Sequence, residues 1–474
     1  MKKFRKIAAV LAILLITLTV YGYAAAENAS EGEAELFEPL KTTVRLWYSD
    51  EAMADYYNEK AVGFNETHST VRIEPALVSG VEMLEQISRA SLENENYPDL
   101  FVVTNDTLEK AQLAGLTTEI PADNPFMNTT RFPEVALHAV TYDGHYVAYP
   151  FYYETSTLLY NRTYLEMLAR EELEYERAEQ NGGGGASSVT DDDVMLRAGQ
   201  MIPASIADIL IFAGTYTLPG EVDGVFKWDV TDIFYNYFFV GNYMDAGGPA
   251  GDSITSLDLY NSEMVSCLKT YQMLNTYFAI DAAETDYDSI VEEFINGKMV
   301  FTVATSDIIP KIRAAQADGT CEYEFGVAHI PSLNDYYKTR TMSVTGCVVI
   351  NGYSEHAQHA AEFAEYMIGT TDASLFERTG KLPALNGLEY EDDGLRTYFE
   401  VYTDSVPLPK MIETSNLWMR MEITLTQIWN GANCNQALKD MSEAIMKQVV
   451  GRHYEEMLLP EPDMIAVTDD TNKD

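Results

Sequence analysis

Positive charge is scarce in this sequence. The 474 residues include 31 Lys and Arg against 74 Asp and Glu, which gives a formal net charge of −43. Such an acidic chain repels phosphate backbones and anionic lipid headgroups, so we expect no nucleic-acid partner. A calcium-coordinating or salt-adapted surface would also be acidic, but a surface that keeps the protein soluble is the plainer interpretation.

Cysteine is also rare, with four residues at positions 267, 321, 347 and 434. No two of them have the C-x-x-C spacing of a zinc or redox site. Outside the cytoplasm disulfides are permitted, and four cysteines allow three different pairings. Buried free thiols are the interpretation that the scattered positions favour.

Motifs of the common catalytic sites are missing. The sequence contains no G-x-S-x-G elbow, no H-E-x-x-H zinc motif and no Walker A loop. His356 and His359 are three residues apart, where an exposed helix start is a plainer interpretation than half a metal site. Asp286 and Asp288 lack the glycine and the distal glutamate of an EF-hand loop. We therefore predict a protein that is not an enzyme and uses no cofactor or metal.

Two other classes of function stay open. Paired acids such as Glu292 and Glu293 could serve a secreted glycoside hydrolase, and a polysaccharide lyase belongs to the same alternative. Acidic residues are so abundant here that one pair carries little information. A cell-surface adhesion or scaffold protein is the second alternative.

The N-terminus is typical of an exported protein. Four of the first six residues are basic, an apolar run follows over residues 7–20, and three alanines end at Ala26. This pattern predicts a signal peptide at 1–26, cleaved before Glu27, although an uncleaved anchor is the alternative. The cysteine of a lipoprotein signal is absent. Residues 27–40 are predicted to be an acidic flexible spacer and residues 461–474 an acidic tail.

Hydrophobic periodicity predicts an α/β fold. Strand patterns at 42–48, 71–78 and 99–104 are separated by helical patterns, which is a βαβαβ unit with a parallel sheet. Further buried strands are predicted at 299–304, within 321–331 and within 342–352. Residues 166–201 are predicted to hold a charged helix followed by the run NGGGGASS, and residues 170–200 are predicted to be an insertion or loop.

Six segments carry a resemblance to a known family. They are YPDLFVVTNDTLEKAQLAGLTTEI (97–120), DGHYVAYPFYYETSTLLYNRTYL (143–165), FINGKMVFTV (294–303), FGVAHIPSL (325–333), GKLPALN (380–386) and NLWMRMEITLTQIWNGANCNQALKD (416–440). In this order, behind a signal peptide, they resemble the sugar-binding extracellular solute-binding proteins of ABC importers, the family that includes maltose-binding protein. The resemblance covers residues 41–455.

The resemblance implies two α/β lobes, each discontinuous in sequence, that close on a ligand by hinge motion. Lobe 1 is expected at 41–149 plus 350–400, and lobe 2 at 150–349 plus 401–460. The chain is expected to cross between them near 149–150, 349–352 and 398–408. The implied partners of this expected monomer are a carbohydrate ligand, here a short oligosaccharide, and the membrane permease subunits of an ABC transporter.

Aromatic rings and carboxylates at the carboxyl ends of strands are the candidate ligand contacts, because ring faces pack on sugar C–H groups and carboxylates accept bonds from hydroxyls. From strand ends the candidates are Trp47, Tyr48, Asp50, Asp106, Tyr152, Tyr153 and Glu154. The resemblance supports Asp106 and Glu154 and adds Trp418, with Trp228 and Tyr243 as further candidates. Each of four candidates has a structural alternative. Trp47 could belong to the strand core, and Asp106 could cap a helix. Glu154 could be an exposed surface residue, and Trp418 could pack against its helix neighbours.

Two features refine this expectation. Tyr152 and Tyr153 point to opposite faces of an extended segment, so only one of them is expected to face the cleft. The maltodextrin binders of the family carry a tryptophan pair where this sequence has Ser306 and Asp307. One stacking wall is therefore expected to be missing, which favours a shorter or differently linked saccharide.

Overall fold

The computed structural model describes residues 41–180 and 189–465. The predicted signal peptide and acidic spacer lie outside the described residues, as do residues 466–474 of the predicted tail.

Twelve strands occur in these ranges, several of them only two residues long. They are β1 Thr42–Tyr48, β2 Val71–Leu77, β3 Leu100–Thr104, β4 Thr141–Tyr142, β5 His145–Tyr146, β6 Tyr149–Asn161, β7 Gly224–Phe226, β8 Met299–Thr305, β9 Phe325–Ala328, β10 Met342–Ile350, β11 Leu382–Pro383 and β12 Val406–Pro407.

Sixteen α-helices connect and cover the strands of the described ranges. They are α1 Ala54–Thr67, α2 Met83–Glu93, α3 Leu108–Leu113, α4 Glu134–Ala139, α5 Arg162–Gln180, α6 Asp191–Gln200, α7 Ile206–Thr215, α8 Ile233–Asn236, α9 Ser262–Phe278, α10 Tyr287–Ile295, α11 Ile308–Asp318, α12 Ala357–Gly369, α13 Ser374–Thr379, α14 Asp393–Thr403, α15 Leu417–Trp429 and α16 Cys434–Val449.

The predicted βαβαβ unit is confirmed at the N-terminal end of the described chain. β1 pairs in parallel with both β2 and β3, so the local order is β2–β1–β3. Alternating burial along β1 explains the register, since Val44, Leu46 and Tyr48 are buried while the residues between them are half-buried. The carboxyl ends of β1 and β3 therefore meet at one edge of the sheet.

One long strand, β6, belongs to both lobes. Its first part, Tyr149 to Thr155, pairs with β10, which in turn pairs with β3 in lobe 1. Its second part, from Ser156, pairs with β8 and β9 in lobe 2. The first crossing thus lies near 155–156, later in the chain than the predicted 149–150.

The other two crossings lie side by side. β10 begins at Met342 in the lobe 2 core and reaches Cys347 in the lobe 1 core, so it crosses earlier than the predicted 349–352. β12, at Val406–Pro407, pairs with β10 at Met342 and Ser343. The third crossing therefore lies inside the predicted range of 398–408. Three extended segments therefore connect the lobes, as a hinged two-lobed fold requires.

Residues 170–200 contain the predicted charged helix, and the Gly/Ser run predicted as a loop lies outside the described residues. α5 continues to Gln180, and α6 starts at a capping box formed by Thr190 and Asp193. Arg197 ties the two helices together through ion pairs of 3.0 Å to Glu172 and to Glu176. The described part of this insertion is a helical hairpin that packs on lobe 2.

Two further observations concern the cysteines and membrane spans. All four cysteines are buried and free, as the sequence favoured. Within residues 41–180 and 189–465, no helix is both long and apolar enough to cross a membrane.

Candidate functional site

The carboxyl ends of β1 and β3 open into the cleft between the lobes. Tyr48, Asp50 and Tyr152 line a cavity of about 390 Å³ on the lobe 1 side. Asp50 also lines a second cavity, and Thr107 with Lys110 lines a third. The first cavity shares Asp50 with the second and Thr107 and Lys110 with the third, so the three adjoin and are here together called the groove.

The second cavity, about 640 Å³ in volume, is here called the polar chamber. Lobe 1 contributes Asp50, Glu154 and Lys381 to its lining, and lobe 2 contributes Tyr235, Tyr287 and Asp307. Both lobes thus supply charged groups to one cavity. Of the predicted contacts, Asp50 and Glu154 lie here.

Lys381 holds the lobe 1 carboxylates of the polar chamber in place. Its ammonium group donates to Glu154, lies 3.3 Å from Asp50 and sits 5.5 Å from the centroid of the Tyr152 ring. Burial opposes the charge on Lys381, but Glu154, Tyr152 and Asp50 outweigh burial and raise the pKa of the lysine. The lysine therefore stays charged at neutral pH, and the carboxylate groups that it holds have further lone pairs for a ligand's hydroxyls.

The lobe 2 wall of the polar chamber carries a stacked aromatic pair. The rings of Tyr235 and Tyr287 lie 4.5 Å apart between centroids at an angle of 12°. The Tyr287 hydroxyl donates to Asp307 at 2.6 Å, and Lys311 donates to the other oxygen of that carboxylate at 2.8 Å. Burial alone would raise the pKa of Asp307, but these hydrogen bonds outweigh it and lower the pKa. The wall thus combines two stacked tyrosine rings with a hydrogen-bonded carboxylate group.

The third cavity, about 610 Å³ in volume, is here called the apolar chamber. Asp106 and Trp418 line it from lobe 1 and lobe 2 respectively. Trp418 is half-buried, and its ring centroid lies 6.3 Å from that of Phe234. The structure thus brings these two predicted contacts together, but in a different chamber from Asp50 and Glu154.

Tyr152 faces the groove and Tyr153 does not. The Tyr153 ring is fully buried and stacks on Tyr402 at 3.8 Å and 5°. Tyr152 is 9% exposed and lines the lobe 1 cavity. A register shift in the pairing of β6 with β10 lies beside Pro150, a position where the missing N–H costs little. Tyr153 is therefore a core residue rather than a ligand contact.

Three other predicted contacts lie outside the groove. Trp228 is fully buried in the lobe 2 core, where its indole N–H donates to Asn236 at 2.8 Å. This satisfied packing makes it a structural residue rather than a ligand contact. Tyr243 lines a separate crevice of about 440 Å³. Trp47 is half-buried against the lobe 1 core, on the face of β1 opposite Tyr48.

Sequence reasoning missed the residues that complete the polar chamber: Lys381, Tyr235 and Tyr287. Lys381 lies within the GKLPALN segment that carries the family resemblance. The sequence therefore placed it in a matching segment but did not indicate that it lines the ligand site. Tyr235 and Tyr287 are in helices α8 and α10, far apart in sequence. An aromatic residue in a helix is more often part of the core, so no local signal identifies this pair.

Two contacts tie the lobes together beside the groove. The Lys410 ammonium is buried and donates to the backbone carbonyls of His138 in lobe 1 and Ala250 in lobe 2. Burial lowers the pKa of Lys410 to about 8. At the other rim, Arg313 of α11 donates to Glu377 of α13 at 2.8 Å. Each contact depends on the relative position of the lobes.

Two α/β lobes, three crossing segments and a lined interlobe groove define the class of two-lobed solute-binding proteins. The chain matches the family described as bacterial extracellular solute-binding protein over residues 52–394. It therefore belongs to that family, as the sequence motifs predicted. No curated protein shows significant sequence similarity to it.

Solved structures confirm the fold. The chain is similar to the extracellular solute-binding protein from Staphylococcus aureus in complex with maltose, with a TM-score of 0.69 and 18% identity over 87% of this chain and 99% of that one. It is equally similar to a cyclo/maltodextrin-binding protein complexed with maltotetraose, with a TM-score of 0.69 and 19% identity over 88% and 99% of the two chains.

A third similar structure is the maltose-binding periplasmic protein MalE from Listeria monocytogenes in complex with maltose. Its TM-score is 0.65, with 19% identity over 88% of this chain and 100% of that one. At such low identity the likeness establishes the two-lobed architecture and not the ligand.

Proposed function

We propose that this protein captures a carbohydrate, a short oligosaccharide, between its lobes and delivers it to the membrane permease of an ABC importer. The observation that carries the proposal is the polar chamber, where the tyrosine pair of one lobe meets the Lys381-held carboxylates of the other. Ring faces pack on sugar C–H groups, and carboxylates accept hydrogen bonds from hydroxyls. A closed chamber would satisfy both faces of a sugar at once.

Hinge closure is the proposed means of capture. β6, β10 and β12 are the extended segments that join the lobes, so they are the expected places of bending. The Arg313–Glu377 contact spans the two lobes beside the polar chamber and would break on opening. A ligand that contacts both walls binds the closed form better and shifts the population toward it.

Membership of the solute-binding family supports delivery to a permease over catalysis. The signal peptide predicted for residues 1–26 supports a site of action outside the cytoplasm. Loss of the chain from its host should then abolish uptake of the saccharide that it binds. Uptake that is unchanged in such cells would argue against the import role while leaving binding intact.

A saccharide panel tests binding directly. At a hundredfold excess over Kd, a bound saccharide should raise the free energy of unfolding by about 2.7 kcal/mol. Tyr287→Ala removes half of the stacked pair and should reduce this increase. Tyr277→Ala is the matched control, since Tyr277 is 60% exposed on α9 and should leave it unchanged.

Two outcomes would contradict the proposal. Reducing sugar that accumulates during incubation with an oligosaccharide would identify an enzyme. A panel of mono- and oligosaccharides that leaves the unfolding free energy unchanged would exclude carbohydrate as the ligand.

A further inference from the structure

The backbone around Lys381 places its side chain in the polar chamber. Gly380 ends α13 in a left-handed conformation with a φ of 72°, which turns the chain into β11. β11 pairs antiparallel with β6, and Leu382 lies opposite Tyr153. Lys381 precedes the first of these residues and Glu154 follows the second, so Lys381 and Glu154 are neighbours across the two strands.

One ammonium group serves two carboxylates of the chamber. Lys381 donates to Glu154 and lies 3.3 Å from Asp50. Within the described part of the chain, no other lysine or arginine forms an ion pair with either carboxylate. All three side chains are half-buried, so water screens the charges only in part.

The other charged groups that line the polar chamber are paired separately. Each has an ion-pair partner of its own: Asp307 with Lys311, Glu377 with Arg313 and Arg378 with Glu59. Loss of the Lys381 charge would therefore leave Asp50 and Glu154 as the two carboxylates of the lining without a cation.

The ammonium group of Lys381 lies where a ligand's amine would otherwise bind. Two neighbouring carboxylates attract a cation, and the face of the Tyr152 ring, 5.5 Å from the ammonium, adds to that attraction. With the lysine present, a sugar hydroxyl can still donate to the remaining carboxylate lone pairs. A protonated amine at the same position would meet a like charge, which opposes its binding.

We infer that Lys381 sets the charge class of the ligand: it favours an uncharged saccharide over one that carries an amine, because its own ammonium group takes the place of that amine. A specificity-determining residue of this kind acts by adding a repulsive contact for the wrong ligand. The sugar half of the inference rests on the proposed function. The site for one ammonium group rests on the geometry of Lys381, Asp50 and Glu154 alone.

Paired sugars test the selection by calorimetry at about pH 6, where a sugar amine is protonated. The pairs are glucose with glucosamine, and cellobiose with the corresponding dimer of glucosamine. The parent protein should bind the neutral member of a pair more tightly. In Lys381→Ala the ratio of amine to neutral affinity should rise at least roughly tenfold, since the ligand's amine can now pair with both carboxylates. A ratio that the substitution leaves unchanged would overturn the inference.

Three further variants locate the effect. Lys298→Ala removes the same charge from an ion pair with Asp223, at a residue that lines none of the three cavities, and should keep the parent ratio. Glu154→Gln added to Lys381→Ala removes one carboxylate and should reverse part of the gain. Lys381→Met keeps the stem without the charge and replaces the alanine variant if that variant does not fold. An equal gain in Lys298→Ala would assign the effect to net charge and overturn the inference.

Ethylammonium chloride, a probe without sugar, separates this inference from the proposed function. Compared with sodium chloride at equal ionic strength, it should raise the midpoint of thermal unfolding of Lys381→Ala more than that of Lys298→Ala, because it binds in the lysine's place. Equal shifts in the two variants would overturn the inference whether or not sugars bind. A larger shift in Lys381→Ala, with no sugar of the panel bound, would instead refute the carbohydrate proposal and keep the ammonium site.

Discussion

Gly346 is predicted to be essential for the shape of the groove because of Tyr152. The two residues face each other across β10 and β6, and a Cβ atom at Gly346 would overlap the Tyr152 ring. The backbone of Gly346 does not have a positive φ, so alanine would fit it without strain. The whole cost of Gly346→Ala therefore comes from displacing the Tyr152 ring from the wall of the groove.

The size of the effect follows from overpacking. Forcing extra volume into a packed site costs typically about 1–3 kcal/mol of folding stability. The ring that moves also lies under the Lys381 ammonium, at 5.5 Å, so the carboxylates of the polar chamber lose part of their support. Ligand affinity should fall along with stability. Denaturant unfolding and calorimetry with a bound saccharide measure the two effects.

Two variants isolate the cause. Tyr152→Ala combined with Gly346→Ala should recover about 0.5–3 kcal/mol of the summed stability losses, because the clash no longer exists. Gly326→Ala creates the same kind of overlap with Tyr160 in lobe 2, away from the groove. Gly326→Ala should therefore lower folding stability without weakening ligand binding. The reasoning would be refuted if Gly346→Ala and Gly326→Ala lost the same ligand affinity. It would also be refuted if Gly346→Ala kept the stability and the ligand affinity of the parent protein.

Three further predictions concern single side chains. Trp418→Ala should lower ligand affinity by roughly 2–4 kcal/mol with little change in unfolding, as calorimetry and denaturation can show. Glu154→Ala should weaken binding by about 2 kcal/mol, and unchanged calorimetry would exclude it from the site. Burial raises the pKa of Asp232 to about 6, above the ordinary value, so its contribution to stability is full at low pH and is lost as the pH rises through 6. Asp232→Asn should therefore gain up to about 3 kcal/mol of stability relative to the parent between pH 4 and 7, measured by denaturation.

The fold was predictable from the sequence where burial alternates with a regular period. β1 has the predicted bounds, Thr42–Tyr48, because the side chains of one face are buried and those of the other are half-buried, which gives a regular period of two. The crossings were placed less well. Periodicity reports which face of β6 is buried, but not that its partner changes from β10 to β8 between Thr155 and Ser156.

The site was predictable to the extent that it lies at strand ends. Asp50 follows the end of β1 and fits this rule, whereas Glu154 lies within the long strand β6 and reaches the polar chamber from there. Tyr153 lies within the same strand and turns into the core, and Trp228 is buried although it follows the end of β7. Alternation predicted that only one of Tyr152 and Tyr153 would face the groove, but three-dimensional packing was needed to choose Tyr152.

Other residues take the place of the stacking wall that the sequence lacks at Ser306 and Asp307, and this bears on the expected size of the ligand. Ser306 and Asp307 provide no ring, but Tyr235 and Tyr287 arrive from two helices to supply one beside them. The loss of the tryptophan pair therefore gives no reason to expect a short saccharide. The proposed ligand length depends instead on how much of the groove a sugar fills, since the polar chamber of about 640 Å³ carries charged groups from both lobes and the third cavity adds Asp106 and Trp418. Comparing the affinities of mono-, di- and trisaccharides by calorimetry measures that length: affinity that stops rising after the first unit would place the whole binding site in the polar chamber.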